Sequence, residues 1–194
     1  MSKNIMLDLE TLGTVADGVI LSIGAVKFNL ETGVIENDGF YASVSVDSNI
    51  EYGRRVQEDT LIWWLKQGPE AQGVYHEEKI ALPVALEAFS DWVSEPDWTI
   101  WANGPDFDTA MVSHAYKQAG IEAPWEFYAS RCVRTYKGLP GANSIAKAIK
   151  FEGVKHNALS DAYHQARQVC AIHASLFGKQ AVKPATKATK GAKV

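Results

Sequence analysis

The sequence predicts an α/β fold, a mixed five-stranded sheet flanked by helices, on two observations. Three strand-like segments follow one another at the start of the chain, as in an antiparallel meander. Beyond residue 58, helical periodicity alternates with short apolar strands, the pattern of elements that cross over a sheet.

Taken in order, "NIMLDLE" (4–10) is an apolar run expected to form a buried strand. "GVILSIGAVKFNLETG" (18–33) extends as a longer strand into a turn at Glu31-Thr32-Gly33, and "GFYASVSV" (39–46), with period-two character, completes the meander. "EDTLIWWLKQG" then turns helical, with Leu61, Ile62 and Leu65 as its apolar positions and Gly68-Pro69 as its stop. "PVALEAFSDWV" (83–93) is a second helix, and "DWTIWANG" (97–104) a fourth strand closed by Gly104-Pro105. The helix after it carries a Phe107, Met111, Ala115 stripe and ends at Gly120. A short fifth strand is expected near 127–132 and a helix near 143–150. The last helix spans 158–177, burying Leu159, Ala162, Ala166, Val169, Ile172 and Leu176.

With 194 residues, 46% hydrophobic and 22% charged, the chain has the composition of a folded globular protein and the length of one domain. The domain is expected over 1–178. The remaining 16 residues, "KQAVKPATKATKGAKV", hold five lysines and no acid, and are expected to form a Lys-rich disordered tail. Subtracting those five charges from the formal net charge of −4 leaves −9 on residues 1–178, an acidic body that argues against tight, extended binding to a nucleic-acid backbone. No basic-then-apolar leader and no long apolar run is present, and Cys132 and Cys170 lack metal-ligand spacing; the expectation is a cytoplasmic protein with no membrane span, disulfide framework or zinc site.

The chemistry concentrates in three places. Asp8 and Glu10 are two apart in a strand, so they share a face about 7 Å apart along the chain while Leu7 and Leu9 take the other. Two acids buried together need a counter-charge. No basic residue lies within the motif to neutralise them. Asp108 falls in the first turn of a helix immediately after a strand, at the sheet edge where sites form; its neighbour Asp106 is read as the helix N-cap. In "KHNALSD", His156 and Asp161 are five apart, which on one helix would aim them about 140° apart. They converge only if His156 lies on the loop before the helix.

Together, "LDLETLG", "NGPDFD" and "HNALSD" resemble, in order and context, the motifs of the DEDDh family of 3′→5′ exonucleases, which includes polymerase proofreading subunits, oligoribonuclease and RNase T. The likeness spans residues 5 to about 176. "LDLETLGTVADGVILSIGAVKF" with "TLIWWLKQ" is most similar to the small phage and bacterial exonucleases of the Rv2179c-like group.

The resemblance implies an RNase H-like fold and a metal-dependent enzyme that removes nucleoside 5′-monophosphates from single-stranded 3′ ends, DNA being favoured over RNA. It implies two divalent cations, Mg²⁺ or Mn²⁺, one held by Asp8, Glu10 and Asp161 and the other by Asp8 and Asp108, with His156 as general base. Hard carboxylate oxygens suit such ions, and an imidazole titrates near neutrality. Thr11, Leu12 and Asn103 are expected at the substrate, Leu12 as an apolar wedge under the last base. Trp63 is a candidate stacking platform and Trp64 a core residue. Nucleic acid is the expected partner, and some relatives are homodimers. An exoribonuclease of the same family, or a binding module without catalysis, are the alternative readings.

Overall fold

The computed structural model describes residues 3–178; the Lys-rich segment 179–194 lies outside the described residues. Five strands form one sheet in the order β3-β2-β1-β4-β5. β1 (Asn4–Thr11), β2 (Ile20–Phe28) and β3 (Phe40–Ser43) make the antiparallel meander, while β4 (Thr99–Ala102) and β5 (Ser130–Cys132) run parallel to β1. Parallel pairing needs crossovers, and the helices supply them.

Alternation along β1 decides which side chains meet which layer. Ile5, Leu7 and Leu9 enter a core formed with α3 (Leu82–Val93) and α4 (Asp108–Ala119). Met6 faces the other way, joining Val26, Phe28 and Trp101 under α7 (Ala158–Phe177). The sheet is therefore covered on both faces, as its apolar strands require. On α7, Ala162, Ala166, Val169 and Ile172 are buried as expected.

Several elements depart from the expectation. β2 stops at Phe28 because Asn29 bends the chain, its side-chain oxygen accepting the Glu31 and Thr32 N–H groups. β3 stops at Ser43, and Val46–Glu51 is a short helix, α1, capped by Ser45. In α2 (Glu58–Leu65), Leu61, Ile62 and Leu65 are exposed, at 40%, 40% and 71%, and Trp64 carries the burial instead. Phe127 is an exposed loop residue outside β5. A 3₁₀ turn at Ala71–Tyr75 and the helices α5 (Val133–Lys137) and α6 (Ala142–Ala148) complete the chain. Among the described residues no helix is long and apolar enough to cross a membrane.

One glycine sets the position of α7. Gly24 lies opposite Asp8 in the β1–β2 ladder, and a methyl group there would sit 2.2 Å from the Ala158 carbonyl carbon and 2.3 Å from the Leu159 nitrogen. Only glycine lets the first turn of α7 rest directly on the sheet beside Asp8.

Candidate active site

The three parallel strands end at one edge of the sheet, and the segments leaving them converge there. β1 delivers Asp8 and Glu10, the turn after β4 delivers Asn103 and Asp108, and α5, following β5, delivers Arg134; α7 brings Asp161 and Gln165 over the top. These residues, with Leu9, Phe107 and His156, line one cleft of about 230 Å³.

Carboxylate oxygens of Asp8, Glu10 and Asp161 all lie within 4.8 Å of one another. Asp108 is buried on the same cleft, where one of its oxygens accepts the Leu9 N–H at 3.2 Å. The turn before α4 is built by Gly104, whose carbonyl accepts the N–H groups of Phe107 and Asp108. Phe107 occupies the N-cap position without a side-chain bond, so Asp106 is not the cap the sequence suggested.

His156 and Asp161 meet as the loop placement requires. Asn157 caps α7 by accepting the Ser160 N–H, and His156 precedes it with φ +62°, a left-handed conformation uncommon outside glycine. That twist turns the His156 backbone N–H onto Asp161 Oδ2 at 2.9 Å, leaving the imidazole over the cleft. The ring is met edge-on by Trp63, centroids 4.9 Å apart, and Trp63 in turn packs edge-on against Trp64. Trp64 is anchored from below, its indole N–H donating to the Thr11 carbonyl at 2.8 Å.

The electrostatics of the four acids point one way. Burial, then the neighbouring charges of Asp108, Glu10 and Asp161, holds Asp8 well above the usual carboxylate range, against the opposing effect of a 2.7 Å hydrogen bond from Gln165. Glu10 is pushed up to about 8 by burial and by Asp161 and Asp108. Asp108 is pushed up to about 7 by burial, opposed by backbone N–H donors and by Arg134. Asp161 is raised by burial as well. None of the ion pairs among the described residues involves these acids. No basic partner thus neutralises Asp8 and Glu10 among the described residues, and a hard, all-oxygen donor set that resists ionisation until a positive charge arrives fits a divalent cation.

A second cleft of about 450 Å³ adjoins the first and shares Leu9, Glu10 and Phe107 with it. Thr11, Thr14, Gln57, Asp59, Thr60, Trp63 and Trp64 form the rest of its wall, so Thr11 and Trp63, two of the residues expected at the substrate, both line this cleft. Leu12 does not: it is 4% exposed, packed with Val19, Leu21 and Trp64, and lines neither cleft. It lies past the end of β1, beyond a register shift between Glu10 and Thr11, and packs inward, while Leu9 and Phe107 present the apolar surface instead. Gln165, Phe107 and Arg134 are site residues that the motif reading missed. For Gln165 a signal existed, since it follows Asp161 by four on the same helix and so shares its face.

Solved structures share this architecture. The zinc-bound form of an E. coli exonuclease I complex with ssDNA aligns with a TM-score of 0.67 at 12% identity, covering 91% of this chain and 41% of that one. The nuclease domain of 3′hExo, a DEDDh family member bound to rAMP, aligns at 0.62 and 12% identity over 92% and 95% of the two chains. Cell-death related nuclease 4 aligns at 0.60 and 14% identity over 88% and 63%. This chain thus spans about two fifths of the length of exonuclease I. No curated protein matches it in sequence. The model of the 3′–5′ exoribonuclease Rv2179c-like domain does match, over residues 3–173, and so the chain belongs to that family of 3′–5′ exonucleases.

Proposed function

We propose that this protein removes nucleotides one at a time from single-stranded 3′ ends, releasing nucleoside 5′-monophosphates with the help of two divalent cations. The observation that carries the reading is the convergence of Asp8, Glu10, Asp161 and Asp108 on a cleft that also holds an imidazole and opens into an aromatic-walled cavity.

Asp8, Glu10 and Asp161 would hold one Mg²⁺ or Mn²⁺ ion and Asp8 with Asp108 the other. Such a pair, when bound, stabilises the entering and leaving oxygens of an in-line displacement at phosphorus. The chain's own residues do the rest. His156 takes the proton of the attacking water; Trp63 fixes the plane of its ring and the bond from its backbone to Asp161 fixes its position. The adjoining cleft receives the terminal nucleoside, with Leu9, Phe107 and Trp63 offering surface to the base and Thr11 and Gln57 polar groups to the sugar. Asn103, on the rim of the carboxylate cleft, faces the phosphate.

The family's description as an exoribonuclease weighs toward RNA, whereas DNA was the expectation from sequence. Equal-sequence single-stranded RNA and DNA, 5′-labelled, incubated with wild type and Asp8→Ala in Mg²⁺, Mn²⁺ or EDTA, test both points. A 3′-end ladder that disappears with EDTA and in the variant supports the reading, and the faster substrate names the sugar. Uncut substrate in every metal overturns it in favour of a binding module.

A further inference from the structure

A third concavity, about 500 Å³ and lined by Arg134, Lys137, Asn143 and Ser144 among others, adjoins the carboxylate cleft. Arg134 lines both. It lies over Gly104, where a methyl group would come within 3.3 Å of the guanidinium carbon, so the absence of a side chain at 104 admits the arginine to the junction. The three concavities neighbour one another in succession: the aromatic cleft shares Leu9, Glu10 and Phe107 with the carboxylate cleft, which shares Arg134 with this groove.

The charges in the groove are unbalanced. Arg134 and Lys137, one helical turn apart on α5, face the same side. Neither takes part in an ion pair among the described residues. Burial and the neighbouring Arg134 lower the affinity of Lys137 for its proton. Arg134 also feels the carboxylate of Asp108 in the adjoining cleft, but no acid lines the groove itself, and the two adjacent cations there, in a chain of formal net charge −4, mark a place for an anion from outside.

We propose that this groove is the subsite for the phosphate on the 5′ side of the scissile one, gripped by Arg134 and Lys137 and flanked by the polar side chains of Asn143 and Ser144. The inference rests on the exonuclease reading: with the terminal nucleoside in the aromatic cleft and the scissile phosphate at the carboxylates, the next phosphate reaches the groove. The enzyme then reads about one phosphate beyond the bond it cuts, which reconciles an acidic body with a nucleic-acid substrate.

Steady-state kinetics on a dinucleoside monophosphate, whose single phosphate is scissile, and on a trinucleoside diphosphate, which adds one on the 5′ side, test this. For wild type, kcat/KM is expected to rise at least tenfold on extension. In Lys137→Gln and Arg134→Gln the gain from extension falls to threefold or less, Lys137→Arg keeps it, and Lys117→Gln, a distant charge control, behaves as wild type. The salt dependence of kcat/KM on the longer substrate also flattens, by about 0.7 in log–log slope per lost contact. An unchanged extension ratio in both Gln variants, or a wild type indifferent to the second phosphate, overturns the subsite while leaving the exonuclease reading intact. Failure of wild type to cut either substrate in Mg²⁺ or Mn²⁺ overturns both.

Discussion

Arg54 and the four cleft acids are all ionisable groups withdrawn from solvent, yet their surroundings are opposite. Arg54 is 2% exposed, and its guanidinium donates to the carbonyls of Gly18 and Ala16 and to Gln118, at 2.5 to 3.2 Å. It ties the 13–19 loop to the segment leading into α2, and so supports the wall that carries Thr14, Gln57 and Trp63. The acids have few donors and one another for neighbours. A buried charge with its hydrogen bonds satisfied serves the fold; buried charges left in mutual repulsion leave stability unused in exchange for a ligand.

That contrast is sharpest in Asp8→Asn. The amide keeps an oxygen for Gln165 and removes a charge that burial opposes. Activity is expected to fall at least ~10³-fold, about 4 kcal/mol of barrier, while thermal unfolding of the metal-free protein stays level or moves upward. Assays beside calorimetry check this, and a marked loss of stability would break the comparison.

Arg54→Met should do the reverse. Stability is expected to drop by about 2–3 kcal/mol because the Gly18 and Ala16 carbonyls lose their donor. Urea titration measures it, and a change under 0.5 kcal/mol would show that water replaces the guanidinium.

Gly24→Ala probes the link between fold and site. The added methyl meets α7 backbone rather than a flexible side chain, so a loss of about 1–3 kcal/mol is expected. Displacement of Asp161 from Asp8 and Glu10 should also weaken Mg²⁺ binding by calorimetric titration.

A further test lies in pH. Glu10 at about 8 and Asp108 at about 7 stand above the ordinary carboxylate values of 4.5 and 3.8, so the folded protein holds protons that the unfolded chain has released. The stability that these two groups contribute to the metal-free protein is therefore complete below pH 4 and is lost as pH rises from there toward 8. Arg54, pushed down only to about 10, stays charged throughout and adds no slope. Melting curves in EDTA should show the decline, and Mg²⁺ should flatten it; a rise between pH 5 and 8 in EDTA would contradict the assignment.

The sequence by itself determined the strand order of the meander, the long stripe of α7 and the placement of the acids, because periods of 2 and 3.6 and the spacing of the motifs are local properties. It also required His156 to leave the helix, since no helix aims residues five apart at one point. Tertiary structure decided the rest. Leu61, Ile62 and Leu65 form an apolar pattern, yet the helix settles on Trp64, whose indole finds the Thr11 carbonyl, and leaves the three exposed. Leu12 looks like a surface wedge beside Thr11, yet past the register shift at the end of β1 it packs into the core. Arg134, 126 residues beyond Asp8 in the chain, reaches the carboxylate cleft only because parallel pairing stacks the ends of β1, β4 and β5 at one edge, a long-range arrangement that no local period encodes.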